Sequence, residues 1–180
     1  MGATLTALLF WGPDVYVAEI GDSRAYLLRG GSMVQLTRDQ TYVQQLVDAG
    51  GLTPEEAEKS DLSSVILQAM GLAPHIDVVL NRVALRKDDR FVVCSDGLSG
   101  PLADREMQDI IAESPTLESA CATLIEAAVD NGGEDDITVV LADLGADAPH
   151  GSTGAEGAPL DVTQPMAPEP KAGKRRAPPT

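Results

Sequence analysis

The sequence predicts an α+β domain, and three observations predict it. Residues 4–36 break into short strand-like runs separated by Gly, Pro and Asp turns; two regions, 41–57 and 104–129, carry apolar residues at helical spacing; and two further apolar runs, 76–94 and 137–144, return to strand character. Strands in hairpin series followed by helices that no parallel strand directly interrupts indicate an antiparallel sheet with segregated helices.

The elements follow in order. TLTALLF (4–10), VYVAEI (15–20), AYLLR (25–29) and MVQL (33–36) are divided by Gly12-Pro13-Asp14, Gly21-Asp22-Ser23 and Gly30-Gly31. That spacing predicts antiparallel hairpins, and alternation of Val15 and Val17 with Tyr16 and Ala18 turns one face to a core. From Thr41 the period changes: Val43, Leu46 and Val47 predict a helix ended by Gly50-Gly51. Thr53-Pro54-Glu55-Glu56 reads as an N-cap, a proline in the first turn and a glutamate placed for a capping box. SVILQAM (64–70) has no clear period. IDVVLNRVAL (76–85) and RFVVC (90–94) read as strands around a Lys87-Asp88-Asp89 turn. Helices are expected near 104–112, with Met107, Ile110 and Ile111 inward, and near 116–129, with Ala120, Leu124 and Ala128 inward, before a last strand at 137–144.

Composition narrows the function classes. The 180 residues carry 13 Lys plus Arg against 28 Asp plus Glu, a formal charge of -15, and all of the excess lies in residues 1–144. Such a field repels nucleic-acid phosphates and attracts cations, so no nucleic-acid partner is expected. Aromatic residues are 3% of the chain, so the core is aliphatic. Cys94 and Cys121 fall inside elements without metal spacing and read as reduced core thiols. Seven of the 12 prolines lie in residues 145–180, which lose all periodicity and end in KAGKRR. The expected division is therefore a domain at 1–144 and a disordered Pro/Gly/Ala-rich tail with a basic end at 145–180. No run approaches the roughly 20 apolar residues of a spanning helix, and a cytoplasmic, soluble chain is expected.

Four acidic turns stand out: Gly21-Asp22-Ser23-Arg24, Thr37-Arg38-Asp39, Ser95-Asp96-Gly97 and Gly133-Glu134-Asp135-Asp136. A lone Asp in a turn ordinarily bonds its own backbone. Four such turns near strand ends could instead converge, and oxygen donors with small neighbours suit a hard cation such as Mg²⁺ or Mn²⁺. FVVCSDGLSG (91–100) poses the choice most sharply, because a carboxylate follows an apolar strand and must either cap a turn or face a cation. Other chemistries lack their parts. There is no Walker lysine loop, no Gly-x-Gly-x-x-Gly and no EF-hand loop, and the two histidines, His75 and His150, support neither a zinc site nor a Ser-His-Asp triad.

The ordered series GDSRAYLL (21–28), QLTRD (35–39), VQQLVDAGGLTPEEA (43–57), SVILQAMG (64–71), RFVVCSDGLSG (90–100) and GGEDDITVVLAD (132–143) resembles the metal-dependent serine/threonine protein phosphatases of type 2C, the PPM family, in its bacterial form. The resemblance implies a sandwich of two antiparallel β-sheets flanked by helices. It also implies two Mn²⁺ or Mg²⁺ ions with a more weakly bound third, and a metal-bound water attacking phosphoserine or phosphothreonine on proteins. By position, Asp96 and Asp135 match carboxylates on one metal, and Asp22 with Asp96 matches the third-metal site. Gly97, Asp136, Asp39 and Arg24 are supporting residues, Arg24 as an ion-pair partner of neighbouring acids. Residues 40–70 match the family's mobile flap.

Several departures shape what is expected of this chain. The family's leading strand, with its phosphate-binding Arg and second-metal acid, and the Asp-Gly-x-Gly-Gly loop bridging both ions have no counterpart in the sequence, so the domain is expected to be incomplete at its N-terminus and this chain to turn over little substrate. Gln40, Ser60-Asp61, Gln68 and Asp136 each stand where the family commonly has another residue. Two functions are carried forward: protein phosphatase, with phosphorylated proteins as substrates and a Ser/Thr kinase as a counterpart, and a catalytically inactive fragment or regulatory module that binds a kinase or phosphatase. A membrane role is expected only if a further segment follows the basic end.

Overall fold

The computed structural model of the protein describes residues 2–145. Seven strands form two antiparallel sheets. Strands β1 (Leu5–Trp11), β2 (Asp14–Ile20) and β5 (Val79–Ala84) make a three-stranded sheet in the order β1-β2-β5. Strands β3 (Arg24–Arg29), β4 (Ser32–Gln35), β6 (Arg90–Cys94) and β7 (Val139–Asp143) make a four-stranded sheet in the order β4-β3-β6-β7. The hairpin joining β3 to β4 turns on Gly30 and Gly31 at φ 58° and 80°, a backbone that residues with a Cβ seldom adopt.

Two apolar layers result from the strand period of two. Val15 and Val17 of β2 face Ala25 and Leu27 of β3 and Phe91 of β6, with Leu36, Val83 and Leu85 closing the space between the sheets. On the other side of the four-stranded sheet, Tyr26, Val92 and Cys94 pack against helices α4 (Asp104–Glu113) and α5 (Leu117–Asp130) through Met107, Ile111, Leu124 and Ala128. This is the expected sandwich with helical cover. Helix α1 (Tyr42–Asp48) is capped by Thr41, whose Oγ1 accepts from Gln44 N–H, and α2 (Pro54–Glu58) carries the reciprocal Thr53–Glu56 capping box foreseen in the sequence.

The structure also corrects boundaries. Residues 76–78 and 137–138 lie outside the strands β5 and β7 assigned to them, and 64–70 makes no regular element, contributing only isolated bridges from Ile66 to Thr41 and from Met70 to Ala3. Strand β6 ends at Cys94, where the apolar run RFVVC ends. Ser95 takes an extended N-cap conformation and Asp96 opens a four-residue helical turn, α3 (Asp96–Ser99), too short for any helical period to be visible in sequence. The tail expected beyond Gly145 lies outside the described residues.

The outer face of the three-stranded sheet is apolar and open. Register places Leu5, Leu9 and Trp11 of β1 on the same side as Ala18 and Tyr16 of β2 and Leu80 of β5, and Trp11 is 71% exposed. At the end of the molecule where β3 turns into β4, the sheets are joined by charge. Asp89, fully buried, accepts two bonds from Arg29 at 2.7 Å each and one from the Arg86 N–H, while Arg29 also reaches the Ala84 carbonyl at the end of β5. Removing one partner leaves the other charge without compensation in a dry site. Asp89→Ala is expected to lower the unfolding free energy by about 3–5 kcal/mol, measured by urea titration at neutral pH.

Candidate functional site

Register alone carries the acidic turns to one end of the four-stranded sheet. Arg24 pairs with Cys94 and Cys94 pairs with Val139, so the start of β3, the end of β6 and the start of β7 lie side by side. Asp22 immediately precedes β3, Asp96 follows β6, and Asp135 and Asp136 precede β7. The loop after β4, with Asp39, returns to the same end because Tyr26 pairs with Gln35.

Asp96 and Asp135 line one open cleft of about 310 Å³ with Gly97, Pro101, Glu134 and the turn Asn131-Gly132-Gly133. The two loops are held together by Ser95: its N–H donates to the Thr138 carbonyl, its Oγ donates to the Asp136 carbonyl, and Oγ accepts from the Thr138 N–H, each at 3.0 Å. Gly97 is required by this closeness, since a Cβ there would sit 2.6 Å from the Asp136 carbonyl oxygen. Asp135 Oδ1 accepts from the Asp136 N–H at 2.7 Å, which sets the direction of its carboxylate. The sequence places Ser95 in an acidic turn but does not mark its role as a clamp, because its partners lie 41 and 43 residues away.

The supporting residues divide. Arg24 grips Asp39 with Nε 2.9 Å from Oδ1 and Nη2 2.7 Å from Oδ2, and Gln35 Nε2 donates to Asp39 Oδ1. Arg24 therefore acts as the ion-pair partner expected of it, and both Asp39 oxygens are engaged within the protein. The opposite end of the sheet shows the same pairing, Arg29 with Asp89 and Arg90 with Asp143. Among the described residues, Asp22, Asp96 and Asp135 have no such basic partner.

The electrostatics follow from that imbalance. Burial, with the nearby charge of Asp96, raises the Asp22 carboxyl to about 6. The donor set is oxygen only, which suits a hard divalent cation in kind. In number it is short, because among the described residues no three His, Cys, Asp or Glu side chains gather closely enough to form a metal sphere, so water or other oxygen donors have to complete six-fold coordination.

Glu19 is the residue the sequence reading passed over. It continues the inward phase of Val15 and Val17 on β2, is 1% exposed, and accepts from the Arg38 N–H at 2.9 Å through Oε2, while Oε1 has no partner. Burial raises its carboxyl from 4.5 to about 7; Asp39 and Asp22 add to the rise, and the Arg38 bond and the Arg24 charge oppose it. A raised folded value means that the unfolded chain releases this proton first, so Glu19 favours folding below about 4.5 and that contribution disappears as pH climbs through about 7. Glu19→Gln is expected to remove this loss. The stability advantage of the variant over wild type grows by about 1–3 kcal/mol between those two pH limits, read from urea unfolding at a series of pH values.

Comparison with known proteins agrees with the topology. Residues 1–156 match the family model described as Protein phosphatase 2C. The chain is 42% identical over 153 residues to the serine/threonine protein phosphatase PstP of Mycobacterium tuberculosis, covering 85% of this chain and 29% of that protein. It is 38% identical over 144 residues to the protein phosphatase PhpP of Streptococcus pneumoniae, covering 80% and 58%. Among solved structures, M. tuberculosis PstP superimposes with a TM-score of 0.76 at 44% identity over 80% of this chain and 60% of that one. The PstP catalytic domain in complex with two manganese ions gives 0.71 at 43% identity, over 79% and 59%. The chain thus spans less than two thirds of each of these relatives. Shared sequence over most of this chain, carried on a shared arrangement of strands, has a single explanation: the chain belongs to the protein phosphatase 2C family.

Proposed function

We propose that this chain supplies the Asp22, Asp96 and Asp135 portion of a metal-dependent protein phosphatase that hydrolyses phosphoserine and phosphothreonine in proteins. The observation that carries the reading is that three carboxylates without basic partners among the described residues lie at one sheet end, whereas Asp89 and Asp143 at the opposite end are matched by arginines. Family membership and the manganese complex of PstP support it. Asp96 and Asp135 would hold Mn²⁺ or Mg²⁺ from the two sides of the cleft, with Asp22 and Asp96 as the pair for a further, weaker ion. Such cations neutralise phosphate charge and make water a competent nucleophile near neutral pH.

The protein's own residues do the positioning. Ser95 fixes the spacing of the two acidic loops, Gly97 lets them approach, and Arg24 neutralises Asp39, while Asp22, Asp96 and Asp135 keep no basic partner among the described residues. On this reading the 180-residue chain binds Mn²⁺, and Asp96→Asn with Asp135→Asn weakens binding about tenfold or more without changing the circular dichroism spectrum. Electron paramagnetic resonance of free Mn²⁺ measures it, and unchanged affinity in the double variant sinks the proposal.

A second reading, docking of a Ser/Thr protein kinase on the three-stranded sheet, is favoured by the open apolar face of Leu5, Leu9, Trp11 and Leu80. Trp11 is the chain's single tryptophan, so its emission reports that face. A kinase domain seated there shifts the emission to shorter wavelength, and Leu9→Glu abolishes the shift; a complex that forms with unaltered Trp11 emission places the contact elsewhere.

A further inference from the structure

Beneath the acidic end lies an interlocked pair of turns. Gly21 and Gln40 exchange two bonds, the Gln40 N–H to the Gly21 carbonyl and the Gly21 N–H to Gln40 Oε1, both 2.8 Å. Thr37 Oγ1 accepts from the Ala25 N–H at 3.0 Å, and the Arg24–Asp39 pair adds a third tie. Gly21 has φ 105°, and a Cβ there would fall 2.4 Å from the Thr4 side chain, so the 21–24 turn has little room to adjust by itself. The conformation that presents Asp22 is therefore set by its neighbours: Thr6 Oγ1 donates to the Ser23 carbonyl at 2.6 Å and Thr4 Oγ1 lies 2.9 Å from Ser23 Oγ on one side, and the 37–40 turn holds it on the other.

Among the described residues, one side chain accepts from the Arg38 N–H. Glu19 lies two residues before Gly21 and grips the Arg38 N–H with Oε2. Its Oε1 is the buried side-chain oxygen left without a partner among the described residues, which is an unfavourable arrangement to maintain unless the other oxygen holds something that matters. Apolar residues of similar size would fill the same inward position of β2 more stably.

We infer that Glu19 is a positioning residue: by fixing the Arg38 backbone it sets the 37–40 turn against the 21–24 turn and so holds Asp22 beside Asp96. The cation-binding consequence rests on the phosphatase reading above, whereas the positioning itself does not. Gln40, in the same 37–40 turn, also ties this turn to residues 41–77, accepting from the Leu67 N–H through its carbonyl and reaching the Asp77 carbonyl through Nε2.

The test uses the full chain and nuclear magnetic resonance. In metal-free wild type, the Arg38 amide is expected to exchange with solvent slowly, although Arg38 itself is exposed; exchange as fast as a free loop amide overturns the inference without any variant. Glu19→Leu fills the site without its acceptor and is expected to move the amide resonances of Gly21–Ser23 and Thr37–Gln40. Glu19→Gln keeps an acceptor and is expected to restore them. Added Mg²⁺ should shift the Asp22 and Ser23 amides with a midpoint about tenfold higher in Glu19→Leu than in wild type and Glu19→Gln, while the midpoint at Gly97 and Asp136 is the same in all three. Unmoved resonances in Glu19→Leu, or an equal change of midpoint at every site, refute a positioning role. If Mg²⁺ shifts nothing in wild type, the phosphatase reading fails, and the metal-free shifts and Arg38 exchange still decide the role of Glu19.

Discussion

Uncompensated negative charge at one end of the four-stranded sheet is the constraint on which the rest of the molecule turns. Burial penalises the charged form of Asp22, and the like charge of Asp96 adds to the penalty, so the Asp22 carboxyl is raised. A fold that only needed stability would place an arginine there, as this one does at Asp89 and Asp143. Keeping the carboxylates free makes sense chemically if a cation is their counterpart.

The antiparallel register converts that local requirement into geometry. Asp22, Asp96 and Asp135 are far apart in sequence, and none can find the others through a turn or a helix face. They come to one end of the sheet because the start of β3, the end of β6 and the start of β7 are neighbours. The apolar layers on both faces of this sheet make the meeting durable: Tyr26, Val92 and Cys94 on the helical side, Ala25, Leu27 and Phe91 on the side of the second sheet. A slip of one residue in any of these strands would exchange the two layers and scatter the acids. Core packing and site assembly are thus a single specification.

Polar groups below the surface refine the placement. Ser95 closes the two loops of the cleft, and Gly97 is the space that closure needs. Around Asp22 the work is shared by Gln40, Thr37, Asp39 and Glu19, of which Glu19 is the least comfortable, with one oxygen engaged and the other alone. Local discomfort of this kind close to a functional centre is a recurring feature of proteins whose sites are held by their surroundings.

Much of this was legible before any coordinates. Period-two runs bounded by glycine turns gave the hairpins, the Thr53–Glu56 pair gave its capping box, and Met107, Ile111, Ala120, Leu124 and Ala128 were placed inward by helical spacing alone. These are local properties, fixed by neighbours within a turn or two. The placement of Asp22, Asp96 and Asp135 at one sheet end, the choice of Asp39 as the acid that Arg24 engages, the clamp made by Ser95 and the half-satisfied carboxyl of Glu19 were decided only by the tertiary structure. Each depends on which strand lies beside which, and side chains 15 to 60 residues apart become neighbours only once long-range pairing has closed the chain on itself.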